Sequence, residues 1–138
     1  MQSRFNIQCE GYVKTVLVEA RLTAMMARTM ILPAALRWQT EVANAVISSK
    51  SAGADIGPQA EILKSLTSSI GALQKSIVDL DHATAHQAAA EPLAHAKHVR
   101  DGIIPAMNQV RASADRLETL IADDLWPLPS YREMLFIK

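Results

Sequence analysis

The 138 residues suit one domain; they are 49% hydrophobic yet only 4% aromatic, with fourteen basic side chains against fourteen acidic ones. Zero formal charge leaves no basic footprint for nucleic acid and no polybasic patch for a membrane surface. A core drawn from Leu, Ile, Val, Met and Ala favours helices, and five Gly with six Pro are too few for the turns of a β fold.

Cys9 is the only cysteine, which excludes an intrachain disulfide framework and fits a reducing compartment. Arg4, Glu10, Lys14 and Glu19 interrupt the opening segment, so it holds no signal-peptide core, and no apolar run is long enough to span a bilayer. The expected location is cytoplasmic.

The first predicted helix covers about 10–51. Val13, Val16, Val18, Leu22, Met25, Met26, Met30, Leu36, Trp38, Val42 and Val46 recur mostly at steps of three or four. At 1.5 Å per residue it would be ~60 Å long. Pro33 falls inside it and removes the donor for the carbonyl of Thr29, which predicts a kink rather than an end. Gly53 suits a left-handed C-terminal cap, and Pro58 suits the first turn of the next helix.

The second helix, 58–88, has the cleanest pattern. Leu63, Leu66, Ile70, Leu73, Ile77 and Leu80 are spaced 3-4-3-4-3 as a heptad seam, with Lys64, Ser68, Lys75, Asp79 and His82 opposite. A turn is expected near 88–91, before Pro92. The third helix, 92–125, places Val99, Ile103, Ala106, Val110, Leu117 and Ile121 on one side and carries a second internal proline, Pro105. The segments 31–35 and 103–107 look alike but are too short to establish a repeat. Trp126-Pro127-Leu128-Pro129 is expected to be extended, and a capping box at Ser130-Tyr131-Arg132-Glu133 starts a short helix over 130–137. The tail is expected to fold back through Pro127 and Pro129, docking Trp126 and Phe136 onto the bundle; the alternative is a tail that waits for a partner domain outside this chain. The fold class is all-α: an antiparallel bundle of three long, partly kinked helices with a short C-terminal helix.

Candidate chemistry is sparse. His82 and His86 are an i,i+4 pair, and Glu91, His95 and His98 lie across the predicted turn, a grouping that can hold zinc or nickel. The heptad turns His82 and His86 outward and no Cys is near, so a solvated tip explains them better. Asp79, Asp81, Asp123 and Asp124 flank no apolar cleft that would tune them for acid–base work. Asp123 and Asp124 suit pairing with Arg116 or Arg132. No glycine loop cradles a phosphate, and Ser and His form no nucleophilic arrangement. The cluster Met25, Met26 and Met30 reads as core or as an adaptable contact surface. Arg21, Arg28 and Arg37 beside the apolar stripe either snorkel or reach a partner. No catalytic, cofactor-binding or metal-ligating residue is assigned.

Three stretches then carry a family resemblance. The first is Glu10-Gly11-Tyr12-Val13-Lys14-Thr15-Val16-Leu17-Val18-Glu19-Ala20, followed by Arg28-Thr29-Met30-Ile31-Leu32-Pro33-Ala34-Ala35-Leu36-Arg37-Trp38-Gln39. The second is Arg100-Asp101-Gly102-Ile103-Ile104-Pro105-Ala106-Met107. The third is Asp123-Asp124-Leu125-Trp126-Pro127-Leu128-Pro129-Ser130-Tyr131-Arg132-Glu133-Met134-Leu135-Phe136-Ile137. Together they resemble the C-terminal region of type III glutamine synthetases over almost the whole chain. The middle helix matches in character more than in letters. Gly102, where the family prefers a helix former, and Trp38, where it often has Tyr, depart from the pattern.

The resemblance implies a parent that ligates ammonia to glutamate with ATP and Mg or Mn, assembled as stacked rings, with its nucleotide, metal and glutamate sites upstream. It therefore implies a non-catalytic structural or assembly domain, with no cofactor of its own. Its partners would be the ligase domains and neighbouring subunits. A free-standing helical interaction module is the rival class, and a metal-binding bundle resting on the histidines is a third.

Overall fold

The computed structural model describes residues 2–85 and 92–129, leaving aside the side chains of Gln2, Ser3, Phe5, Asn6 and Pro92. The described residues are all-helical, with no strand, in three helical stretches. The first comprises α1 (Gln2–Met26), a π turn (Ala27–Ile31) and α2 (Leu32–Ser51). The second is α3 (Gly57–Ala85). The third comprises α4 (Pro92–His98), a π turn (Val99–Ile103) and α5 (Ile104–Glu118).

Both internal prolines are entered through a π turn. Proline offers no N–H, and its ring crowds the carbonyl four residues back. Widening the preceding turn by one residue relieves the crowding where the ladder already has a gap. The Leu32 N–H donates to the Ala27 carbonyl and the Ile104 N–H to the Val99 carbonyl, five residues back in each case. Within the first turn, the Thr29 hydroxyl donates to the Met25 carbonyl at 2.7 Å, a back-bond that loosens helices.

The second helix follows its heptads. Leu66, Leu73 and Leu80 are fully buried, Ile70 and Ile77 nearly so, while Lys64, Ser68, Lys75, Asp79 and His82 are exposed. The stop before it is a Schellman motif. Gly53 has φ +82°, Ala54 N–H donates to the Ser49 carbonyl and Gly53 N–H to the Lys50 carbonyl, each at 3.0 Å. Asp55 Oδ1 then accepts the Gly57 N–H at 3.1 Å, so an Asx turn precedes Pro58 and opens α3.

Three expectations need correction. The first helix starts at Gln2 rather than near Glu10. No breaker precedes Gly11, and that glycine is absorbed at about 1 kcal/mol relative to alanine. The third helix ends at Glu118 rather than near 125. There the Thr119 hydroxyl and N–H both turn back to the Arg116 carbonyl, and the turns that follow bury Ile121 beside Leu117.

The third correction concerns the buried face of the first helical stretch. Val18, Leu22, Met25 and Leu36 are exposed, whereas Val13, Leu17, Ala20, Ala24, Ala27, Ile31 and Ala35 are buried. The turn at 88–91, the helix at 130–137 and the docking of Phe136 lie outside the described residues. Trp126 and Leu128 pack, half-buried, against the core.

Candidate functional site

The histidines do not converge. His82 is exposed, and His86 with Glu91 lies outside the described residues. His98 Nε2 lies 3.1 Å from the Ala83 carbonyl, which requires the proton on Nε2 and joins α4 to the end of α3. Its ring also lies against Gly102, where a Cβ would come within 3.3 Å of Cε1. An alanine there would press on the His98 ring, which would have to shift by a few tenths of an ångström. His95 is half-buried, its Nε2 buried without a hydrogen-bond partner among the described residues. No group of three or more metal-ligating side chains occurs among the described residues.

The carboxylates and arginines sort by reach. Arg28, in the first π turn, pairs with Asp81 on α3, both about half exposed. Arg100, at the matching place in the second π turn, pairs only with its neighbour Asp101 at 3.0 Å. The hydrogen bond from Arg100 holds the Asp101 carboxyl below the usual carboxylate range and raises Arg100 in turn. Asp79, Asp123 and Asp124 are exposed, and among the described residues Asp123 and Asp124 form no ion pair with Arg116. Arg21 and Arg37 are exposed. Trp38 packs half-buried on the core, with Nε1 buried and lacking a hydrogen-bond partner among the described residues.

Sequence reasoning missed a groove among the described residues. The groove, of about 640 Å³, runs between α1 and α5, walled by Leu22, Met26, Val110 and Ala114. Trp126 and Leu128 also line it. Leu22 stands six residues from Val16, a spacing that puts the two apolar side chains on different faces of α1.

Among the described residues, then, the chain is a helical domain whose polar side chains tie helices together. No described helix is long and apolar enough to cross a membrane. Residues 1–50 match the family described as the glutamine synthetase C-terminal domain. The chain is 29% identical over 152 residues to a type-3 glutamine synthetase of Dictyostelium discoideum, covering 100% of this chain and 20% of that protein. It is 26% identical over 144 residues to a glutamine synthetase of Bacteroides fragilis (strain YCH46), covering 98% of this chain and 20% of the relative. A glutamine synthetase of Butyrivibrio fibrisolvens is 26% identical over 137 residues, covering 97% and 20%. The matches return the resemblance read from the sequence: the chain is similar to the C-terminal part of glutamine synthetases, a type-3 enzyme among them. It spans about a fifth of the length of the curated relatives it matches.

Proposed function

We propose that this chain is a non-catalytic structural and assembly domain of a type III glutamine synthetase. The observation that carries the reading is coverage: the chain aligns along its whole length with a fifth of each relative. The parent reaction would be ATP-dependent ligation of ammonia to glutamate, with Mg or Mn and a cytoplasmic location. Its catalytic groups would lie outside this chain. The arrangement we propose is an antiparallel bundle of three long helices kinked at Pro33 and Pro105. It is supported by Arg28 meeting Asp81 while Gln39 meets Thr67, a pairing in which one helix counts up as the other counts down.

The assembly role rests on α1. Ile7, Val18 and Met25 are exposed at 68, 63 and 51%, an apolar surface suited to the ligase domains or a neighbouring subunit of a ring. The test has two parts. Calorimetry on the chain should detect no ATP binding; saturable binding at micromolar affinity overturns the non-catalytic reading. In the parent enzyme, Val18→Asp with Met25→Asp should shift the sedimentation profile toward smaller species. An unchanged profile removes the assembly role from this face.

A further inference from the structure

Met25, Met26, Met30 and Met107 are the methionines among the described residues, and their exposure is graded. Met25 is 51% exposed, Met26 and Met30 are half-buried, and Met107 is buried in the core. Met25 shares the outer side of α1 with the exposed Val18 and Leu22, seven and three residues back. We propose that Met25 is a reversible oxidation site: a hydroperoxide converts its thioether to the sulfoxide, which turns this apolar face polar. The effect on assembly rests on the function proposed above; the site itself does not.

The step balances with hydrogen peroxide as the oxidant. A lone pair of Sδ attacks one peroxide oxygen, the O–O bond breaks and an S–O bond forms. The displaced hydroxide takes the proton of the transferred oxygen and leaves as water; sulfur loses two electrons and the peroxide gains them. Access decides which sulfur reacts, and Met25 is the most open of the four. A thioether is soft and apolar, suited to an adaptable contact, whereas the sulfoxide is polar and chiral. Helical side chains lean toward the helix N-terminus, so the tip of Met25 lies over the turn that holds Arg21 and Leu22. Arg21, four residues back, is exposed and forms no ion pair among the described residues. It is placed to donate to the new oxygen, which draws a guanidinium toward Val18. A partner packing on this face must then bury polar groups in place of a thioether, at a cost in affinity. The same packing shields the sulfur, so oxidation acts on the unassembled chain.

The test has two parts. The full chain carries Cys9→Ser, so that thiol chemistry neither adds oxygen nor links two copies, and is exposed to hydrogen peroxide. Peptide mass mapping should show Met25 gaining one oxygen several-fold faster than Met26 or Met30, with Met107 slowest, and methionine sulfoxide reductase should remove it. Met107 oxidising as fast as Met25 overturns the site. The second part uses Met25→Gln, a polar stand-in for the sulfoxide that remains a good helix former. In the parent enzyme it should shift the sedimentation profile toward smaller species, and unsubstituted Met25 should oxidise more slowly there than in the free chain. Equal oxidation rates in the two overturn the switch. If Val18→Asp with Met25→Asp shifts the profile and Met25→Gln does not, the switch falls while the assembly role stands. If neither shifts it, both fall.

Discussion

The two π turns are alike in backbone, share four of eight aligned residues, and differ in what they hold. Ala27-Arg28-Thr29-Met30-Ile31-Leu32-Pro33-Ala34 lines up with Val99-Arg100-Asp101-Gly102-Ile103-Ile104-Pro105-Ala106. In both, the first and fifth positions are buried (Ala27 and Ile31; Val99 and Ile103) and proline follows two residues after the turn. The same backbone solution thus answers the same missing donor. The second position separates them: Arg28 reaches across to Asp81 on α3, whereas Arg100 stays with Asp101. The second turn is tied to α3 instead by His98, which sits just before it and spends its Nε2–H on the Ala83 carbonyl. A local sequence can therefore specify a backbone irregularity without specifying the tertiary contact made from it.

The largest expected effect tests the shared part. Ile31→Ala and Ile103→Ala should each cost about 2–5 kcal/mol in urea unfolding, the range for removing buried branched aliphatics. A loss below about 1 kcal/mol at either site, against that range, would break the equivalence of the two turns. Next is the tie made by His98. Replacing it with alanine should cost about 1 kcal/mol through loss of one hydrogen bond. Gly102→Ala should gain up to about 1 kcal/mol of helix propensity, but more in the His98→Ala background than in the parent chain, because the new Cβ then meets no ring. Equal gains in both backgrounds would mean that the ring moves aside freely.

Smaller still is the Arg28–Asp81 pair. Half-exposed on both sides, it should show a coupling of roughly 0.2–1 kcal/mol in a double-mutant cycle, shrinking as salt is added. Arg100 and Asp101, fully exposed neighbours, should show no measurable coupling by the same cycle. The least effect concerns pH. The folded Asp101 pKa lies below its unfolded value because of the Arg100 hydrogen bond. Its stabilisation is therefore present above the ordinary Asp range and lost as pH falls through the folded value. Asp101→Asn should leave the stability–pH curve nearly unchanged, with any gap above that range closing below it. A gap that widens on acidification would contradict the sign.

The sequence by itself determined the elements whose signals are local. The heptad of Leu66, Ile70, Leu73, Ile77 and Leu80 names its own buried face, because large apolar side chains at 3.5-residue spacing admit one seam. Gly53 named the helix stop, since only a residue free of Cβ strain takes φ +82° readily. Pro33 and Pro105 marked the places where the ladder must break, though not that each break would be a π turn.

Only the tertiary structure decided which side of α1 is inward. Val18, Leu22 and Met25 have the greater hydrophobicity, yet Ala20, Ala24 and Ala27 are buried. Small side chains let neighbouring helices approach closely, a gain that depends on the partner's shape and leaves no trace in hydropathy. The same holds for the end of the third stretch at Glu118, for the pairing of Arg28 with a carboxylate fifty-three residues away, and for the groove. Each depends on where a second helix lies, and periodicity along one helix carries no information about that.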